Sequence, residues 1–172
     1  MKNQRNVTII TDTDGGSIVV INDIRFRGKS WDEWDEIEEY LRQYVGECYE
    51  ILETSEYVFI GEDFPKEFTG SEYTTHLWKR KKEAKANVVT GLPELINTAS
   101  SPQHNKNIKQ KHQDNARFGW YSYKIRFALP VYRIGQSASL SEYKLYSADM
   151  LVRHDKDGKK YLYDIINIER AK

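Results

Sequence analysis

Apolar and polar residues alternate in strand fashion at both ends of the chain and follow a helical period between them. Val7–Asp12 and Ser17–Asn22 are β-branched runs on either side of Asp14-Gly15-Gly16, a combination that predicts a β-hairpin. Ser30 followed by Glu33 is a capping box, and the acidic residues after it suit the positive end of a helix dipole. Trp31, Trp34, Ile37, Leu41, Tyr44 and Val45 then form one apolar stripe at helical spacing, expected in the core, with Gly46 as its end. Tyr57–Ile60 reads as a short strand, and Gly61–Gly70 as a turn-rich connection. A second helical pattern covers Glu72–Ala99, with Pro93 kinking or dividing it. Ser100–Asn115 has one apolar residue, Ile108, and reads as a long polar loop.

The last third is β-rich. In Trp120–Val131, Tyr121, Tyr123, Ile125, Phe127 and Leu129 alternate with Trp120, Ser122, Lys124, Arg126 and Ala128, giving an apolar face and a cationic-aromatic face. Tyr143–His154 is a second long strand, and Asp157-Gly158 turns it into Tyr161–Glu169. The expected fold is α+β: helices packed on an antiparallel sheet of three to five strands, with an N-terminal hairpin and helix. Residues 1–172 are expected to form a single domain. Residues 1–70 supply the hairpin, acidic helix and short strand, and 71–172 the basic helix, loop and C-terminal sheet.

Composition narrows the class. Hydrophobic residues make up 39% of the chain and charged residues 30%, a balance that fits neither a disordered nor a membrane-embedded protein. No apolar run approaches membrane-spanning length, and MKNQRNVTII lacks the features of a secretory signal, so a cytoplasmic location is expected. The single cysteine, Cys48, excludes an intramolecular disulfide and is expected to be buried. The formal net charge of zero conceals an asymmetry. Trp31–Glu72 holds fourteen acidic and two basic residues, whereas Tyr73–Arg133 holds twelve basic and three acidic. Such a chain either presents an acidic and a basic face or packs the two stretches together. An acidic face would suit a basic protein partner. A basic one, built on Lys79–Lys85 and Lys106–Lys111, would suit RNA or another nucleic acid, although such a lysine run is usually just a solvated face.

There is no phosphate-cradling glycine loop, nucleophile elbow, HExxH or EF-hand pattern, and His76, His104, His112 and His154 lack metal-ligand spacing. Neither a metal nor a cofactor is expected. Metal-free RNA cleavage needs a base, an acid and fixed cations for the phosphorus charge. His112, Arg126, Arg153 and Tyr123 are of the right types for catalysis, with Lys111, Trp120, Lys124 and His154 as substrate contacts. Each has a plain structural reading too: Arg153 paired with Asp164, and Tyr121 and Tyr123 in the core.

The stretches YVFIGEDFPKEFTGSEYT, EAKANVVTGLPELINTA, KHQDNARFGWYSYKIRFALPVY and DMLVRHDKDGKKYLYDIINIER, with FRGKSWDEWDEIEEYLRQYVGECYEI, cover most of the chain. They resemble a domain found in large polyvalent proteins of phages and conjugative elements. The resemblance implies a mobile-element origin and a relation to barnase/EndoU/RelE-like ribonucleases, which place helices before an antiparallel sheet. It implies roles for Lys111, His112, Trp120, Tyr121, Tyr123, Arg126, Arg153, His154, Asp164 and Asn167; Ile134–Leu140 departs from its pattern. Two functions therefore stand at this point: a metal-independent endoribonuclease, or a non-catalytic protein- or nucleic-acid-binding module.

Overall fold

The computed structural model describes residues 5–28, 30–105, 118–131 and 142–171. The expected hairpin is present as β1 (Val7–Thr11) and β2 (Ser17–Ile21), paired antiparallel. Asp12 holds its turn: Oδ1 accepts the Asp14 and Gly16 N–H groups, both at 2.9 Å. Next come α1 (Trp31–Leu41), β3 (Cys48–Ile51), β4 (Glu56–Phe59), α2 (Phe64–Gly70) and α3 (Glu72–Thr75). After them follow α4 (Lys79–Asn87), a 3-10 turn, α5 (Leu92–Thr98), β5 (Ser100–Asn105), β6 (Trp120–Val131), β7 (Glu142–His154) and β8 (Lys160–Arg170).

The strands form one eight-stranded sheet in the order β1-β2-β6-β7-β8-β4-β3, with β5 also paired to β6, curved into a half-barrel. This overturns the antiparallel sheet of three to five strands in two respects. The sheet is larger, because β3 and the polar segment SSPQHN of β5 also join it. It is also mixed: β2 runs parallel to β6 and β4 parallel to β8. Hairpin turns announce antiparallel pairs locally, whereas a parallel pair joins segments distant in sequence and leaves no turn signature. Along the edge of β6, β5 pairs with the first half and β2 with the second.

One face of the sheet carries the main core. Tyr123, Ile125, Phe127 and Leu129 of β6 and Tyr146, Ala148, Met150 and Val152 of β7 pack with Trp34, Ile37 and Leu41 of α1 and Leu92, Leu95 and Ile96 of α5. Ile18, Val20 and Ala128 form a small second cluster. Pro93 stands in the first turn of α5, dividing the helical stretch as its ring requires. The Ser30 cap of α1 accepts the Glu33 N–H at 3.3 Å, but the Glu33 carboxylate accepts the N–H groups of Arg27 and Gly28, anchoring the chain that enters the helix.

Three burial expectations are corrected. Trp31 is 67% exposed, being the first residue of α1, where its ring lies against Lys82 rather than the sheet. Cys48 opens edge strand β3 and is exposed. Lys85 is wholly buried instead of lying on a solvated face: its ammonium donates to the Asp164 carboxylate and to the Ile165 carbonyl. No helix among the described residues is long and apolar enough to cross a membrane.

Candidate functional site

The residues singled out on β6–β8 divide between two faces and several partners. Trp120, Lys124 and Arg126 share the face opposite the main core. Arg126 bonds the hairpin carboxylate Asp12 at 2.6 Å, and Lys124 bonds Asp149 at 2.6 Å. Asp149 also accepts the Asn167 amide at 2.8 Å, and Trp120 packs edge-on to Tyr163. Arg153 lies over the Tyr161 ring and pairs with Asp63 at 3.2 Å and Asp155 at 3.6 Å. Its expected partner, Asp164, belongs to Lys85 instead: the β7–β8 register sets Asp164 opposite Leu151 and Arg153 opposite Tyr161. Arg126 faces Ser147 and Arg153 faces Trp120, six ladder positions apart, so their backbones are about 20 Å apart at the usual rise per residue. These two guanidinium groups do not converge on one anion. His112 and Lys111 lie outside the described residues.

A different set does gather at the start of β6. The Tyr121 ring lies 4.6 Å from the His104 ring of β5 and 5.8 Å from that of His154. Lys160 sits 3.8 Å above the Tyr121 centroid while bonding Glu56 of β4. Burial pushes the Glu56 carboxyl up, but the Lys160 ammonium outweighs it and holds the group below its ordinary range. Tyr123 is buried beneath, and that burial, aided by the Glu56 charge, pushes its phenol up. His154 donates its Nε2–H to the Gly158 carbonyl, 3.2 Å away. Two imidazoles thus flank one tyrosine. The nearest cation, Lys160, is already neutralised by Glu56.

Free positive charge lies elsewhere. A cleft of about 700 Å³ opens where α4 meets the far ends of β6 and β7, lined by Arg25, Arg27, Arg80 and Lys144 together with Glu33 and Glu83. Asn87 fixes the segment that carries Arg25 and Arg27. Its side chain, wholly buried in α4, accepts the Arg25 and Phe26 N–H groups at 2.8 and 3.0 Å and donates to the Phe26 carbonyl at 2.6 Å. That clamp buries Phe26 and leaves Arg25 and Arg27 exposed on either side of it. Lys144 stands opposite Leu129, on the helix-covered face. Partial burial and the neighbouring charges of Arg80 and Arg170 push the Lys144 ammonium below its ordinary value. Among the described residues no carboxylate forms an ion pair with any of the four cations. Glu33 is committed to backbone N–H groups. Moreover, none of the ion pairs seen among the described residues joins the basic stretch 73–133 to the acidic stretch 31–72.

No family model matches this chain, and neither does any curated protein or solved structure.

Sequence reasoning pointed to the basic stretch but missed the cleft. Its four cations come from an irregular segment, a helix and a strand, and only Arg80 sits in a conspicuous run. The alternation Arg25-Phe26-Arg27 was the available signal, since a buried Phe26 turns both arginines outward. His104, Glu56 and Lys160 were likewise beyond reach, because β5 and β4 join the sheet through long-range pairings.

Proposed function

We propose that the protein is a nucleic-acid-binding module that seats a phosphate backbone in the cleft of Arg25, Arg27, Arg80 and Lys144. One observation carries this reading: four cations line a single concavity, and no ion pair among the described residues neutralises them. Like charges held together repel, and a bound polyanion relieves that repulsion while releasing its own counterions. Arginine suits the role because its planar fork meets two phosphate oxygens at once. The mobile-element origin implied by the sequence resemblance is a setting for this activity, and the binding argument does not depend on it.

The test is fluorescence anisotropy of labelled RNA over a range of salt. Affinity should fall linearly on log–log axes, and Arg80→Ala with Lys144→Ala should lower both affinity and slope. Binding that ignores salt, or that survives the double substitution unchanged, would refute the reading.

A second reading, a metal-independent ribonuclease, is favoured by the approach of His104 and His154 to Tyr121. In this reading His154 and His104 share the acid and base roles, with Tyr123 as support. Incubation with RNA in EDTA decides it. Cleavage lost in His154→Ala would support the assignment, and absent or unaltered cleavage would discard it.

A further inference from the structure

Beside the cationic cleft lies a second, less polar one of about 460 Å³, formed by Tyr73, Leu77 and Trp78 with Asn167 and Glu169 across from them. Arg80 lines both clefts. We propose that the ligand is single-stranded nucleic acid, with a base stacked on Trp78 in the second cleft and the adjoining phosphate held by Arg80. This rests on the nucleic-acid reading above and adds which form of nucleic acid is bound.

Trp78 is 76% exposed, the highest value among the large hydrophobic side chains described as exposed. It precedes α4 in extended conformation, with φ −113° and ψ 139°, and its indole meets neither a cation nor another ring among the described residues. Trp31 of α1 offers a contrast: it is also exposed, yet Lys82 of α4 lies 5.5 Å from its ring centre. The other cation at the second cleft, Lys81, is spent on Glu169 at 3.2 Å. Among the described residues that line both concavities, Arg80 is left to hold an anion. An aromatic face next to a cation-lined groove is the arrangement that binds successive bases and phosphates of a single strand. Stacking on Trp78 requires a free base face, which an intact duplex offers only at its ends.

The experiment uses the full chain and an oligouridine of about 12 nucleotides, read by anisotropy and by quenching of tryptophan fluorescence. Duplex RNA of equal length and uridine monophosphate serve as the other arms. We expect the oligonucleotide to bind more tightly than either. Trp78→Ala should lose roughly 5- to 150-fold in affinity with the salt slope unchanged, and Trp78→Phe should keep most of it. Arg80→Ala should weaken binding and reduce the slope by about 0.7. Duplex or mononucleotide binding as tight as the oligonucleotide's, or full affinity in Trp78→Ala, would overturn the proposal. If Trp78→Ala binds normally while Arg80→Ala and Lys144→Ala do not, the cationic cleft stands and the stacking site falls. If no form of nucleic acid binds, both fall together. Circular dichroism should show Trp78→Ala folded, since the side chain it removes lies in solvent.

Discussion

Replacing Lys85 by methionine removes the most deeply buried charge described in the protein. Its side chain is 0% exposed and that of Asp164 3%, so neither keeps meaningful contact with water. The ammonium donates to Asp164 and, at 2.5 Å, to the Ile165 carbonyl, and it lies 4.4 Å from the Phe68 ring centre and 5.0 Å from that of Tyr73. Burial pushes the lysine down to about 8 and the aspartate up, and the charge of each opposes the shift of the other. Lys85→Met fills similar space but strands the carboxylate, which typically costs about 3–5 kcal/mol. For a chain of this size that corresponds to a fall in Tm of roughly 6–20 °C. The double variant Lys85→Met, Asp164→Asn leaves no charge at this site, and the amide oxygen can still accept the Ile165 N–H that Asp164 now binds at 2.8 Å. It should recover most of the loss. Urea titrations followed by tryptophan fluorescence, with thermal melts by circular dichroism, measure all three proteins. A single variant within about 1 kcal/mol of wild type, or a double variant no more stable than the single, would refute this account of the pair.

Asn87→Ala orphans the N–H groups of Arg25 and Phe26 and the Phe26 carbonyl, so a loss of roughly 2–3 kcal/mol is expected in the same melts, and an unchanged midpoint would contradict the clamp. The Glu56–Lys160 pair sets an acid limb. Because the folded carboxyl lies below its ordinary 4.5, its contribution is complete above that pH and is lost as pH falls through the lowered value. Lys160→Met should flatten stability against pH below 4.5, and an identical acid limb would count against the pair. At the hairpin, a Cβ on Gly16 would come within 2.4 Å of Arg126 Nη2. The Arg126 hydrogen bond holds the Asp12 carboxyl below its ordinary value, so Gly16→Ala should let it rise in an NMR titration, whereas an unmoved Asp12 would show the pair survives.

Elements with a strong pattern of their own were legible. The Asp14-Gly15-Gly16 hairpin, the capped stripe of α1 and the alternating β6 and β7 announce themselves through local chemistry. β5 did not, because SSPQHN carries no apolar residue and is a strand only through its pairing with β6. The parallel pairs were hidden for a related reason: β2 meets β6 through the register Val19↔Phe127 and Val20↔Ala128, more than a hundred residues apart. Lys85 had a signal that its charge outweighed, since Lys85, Val88, Val89 and Leu92 follow the spacing of one helix face. Both proposed catalytic arginines, Arg126 and Arg153, were assigned by residue type and by the resemblance. Type does not reveal that Asp12 and Asp63, from distant segments, already pair with them.

The salt dependence of RNA binding, measured for wild type and for Arg80→Ala with Lys144→Ala, tests the central claim most directly. A cleft that holds phosphates predicts a linear fall of log affinity with log salt in wild type, and a slope shallower by about 0.7 for each contact removed in the double variant. Equal affinity and equal slope in the two proteins would contradict it.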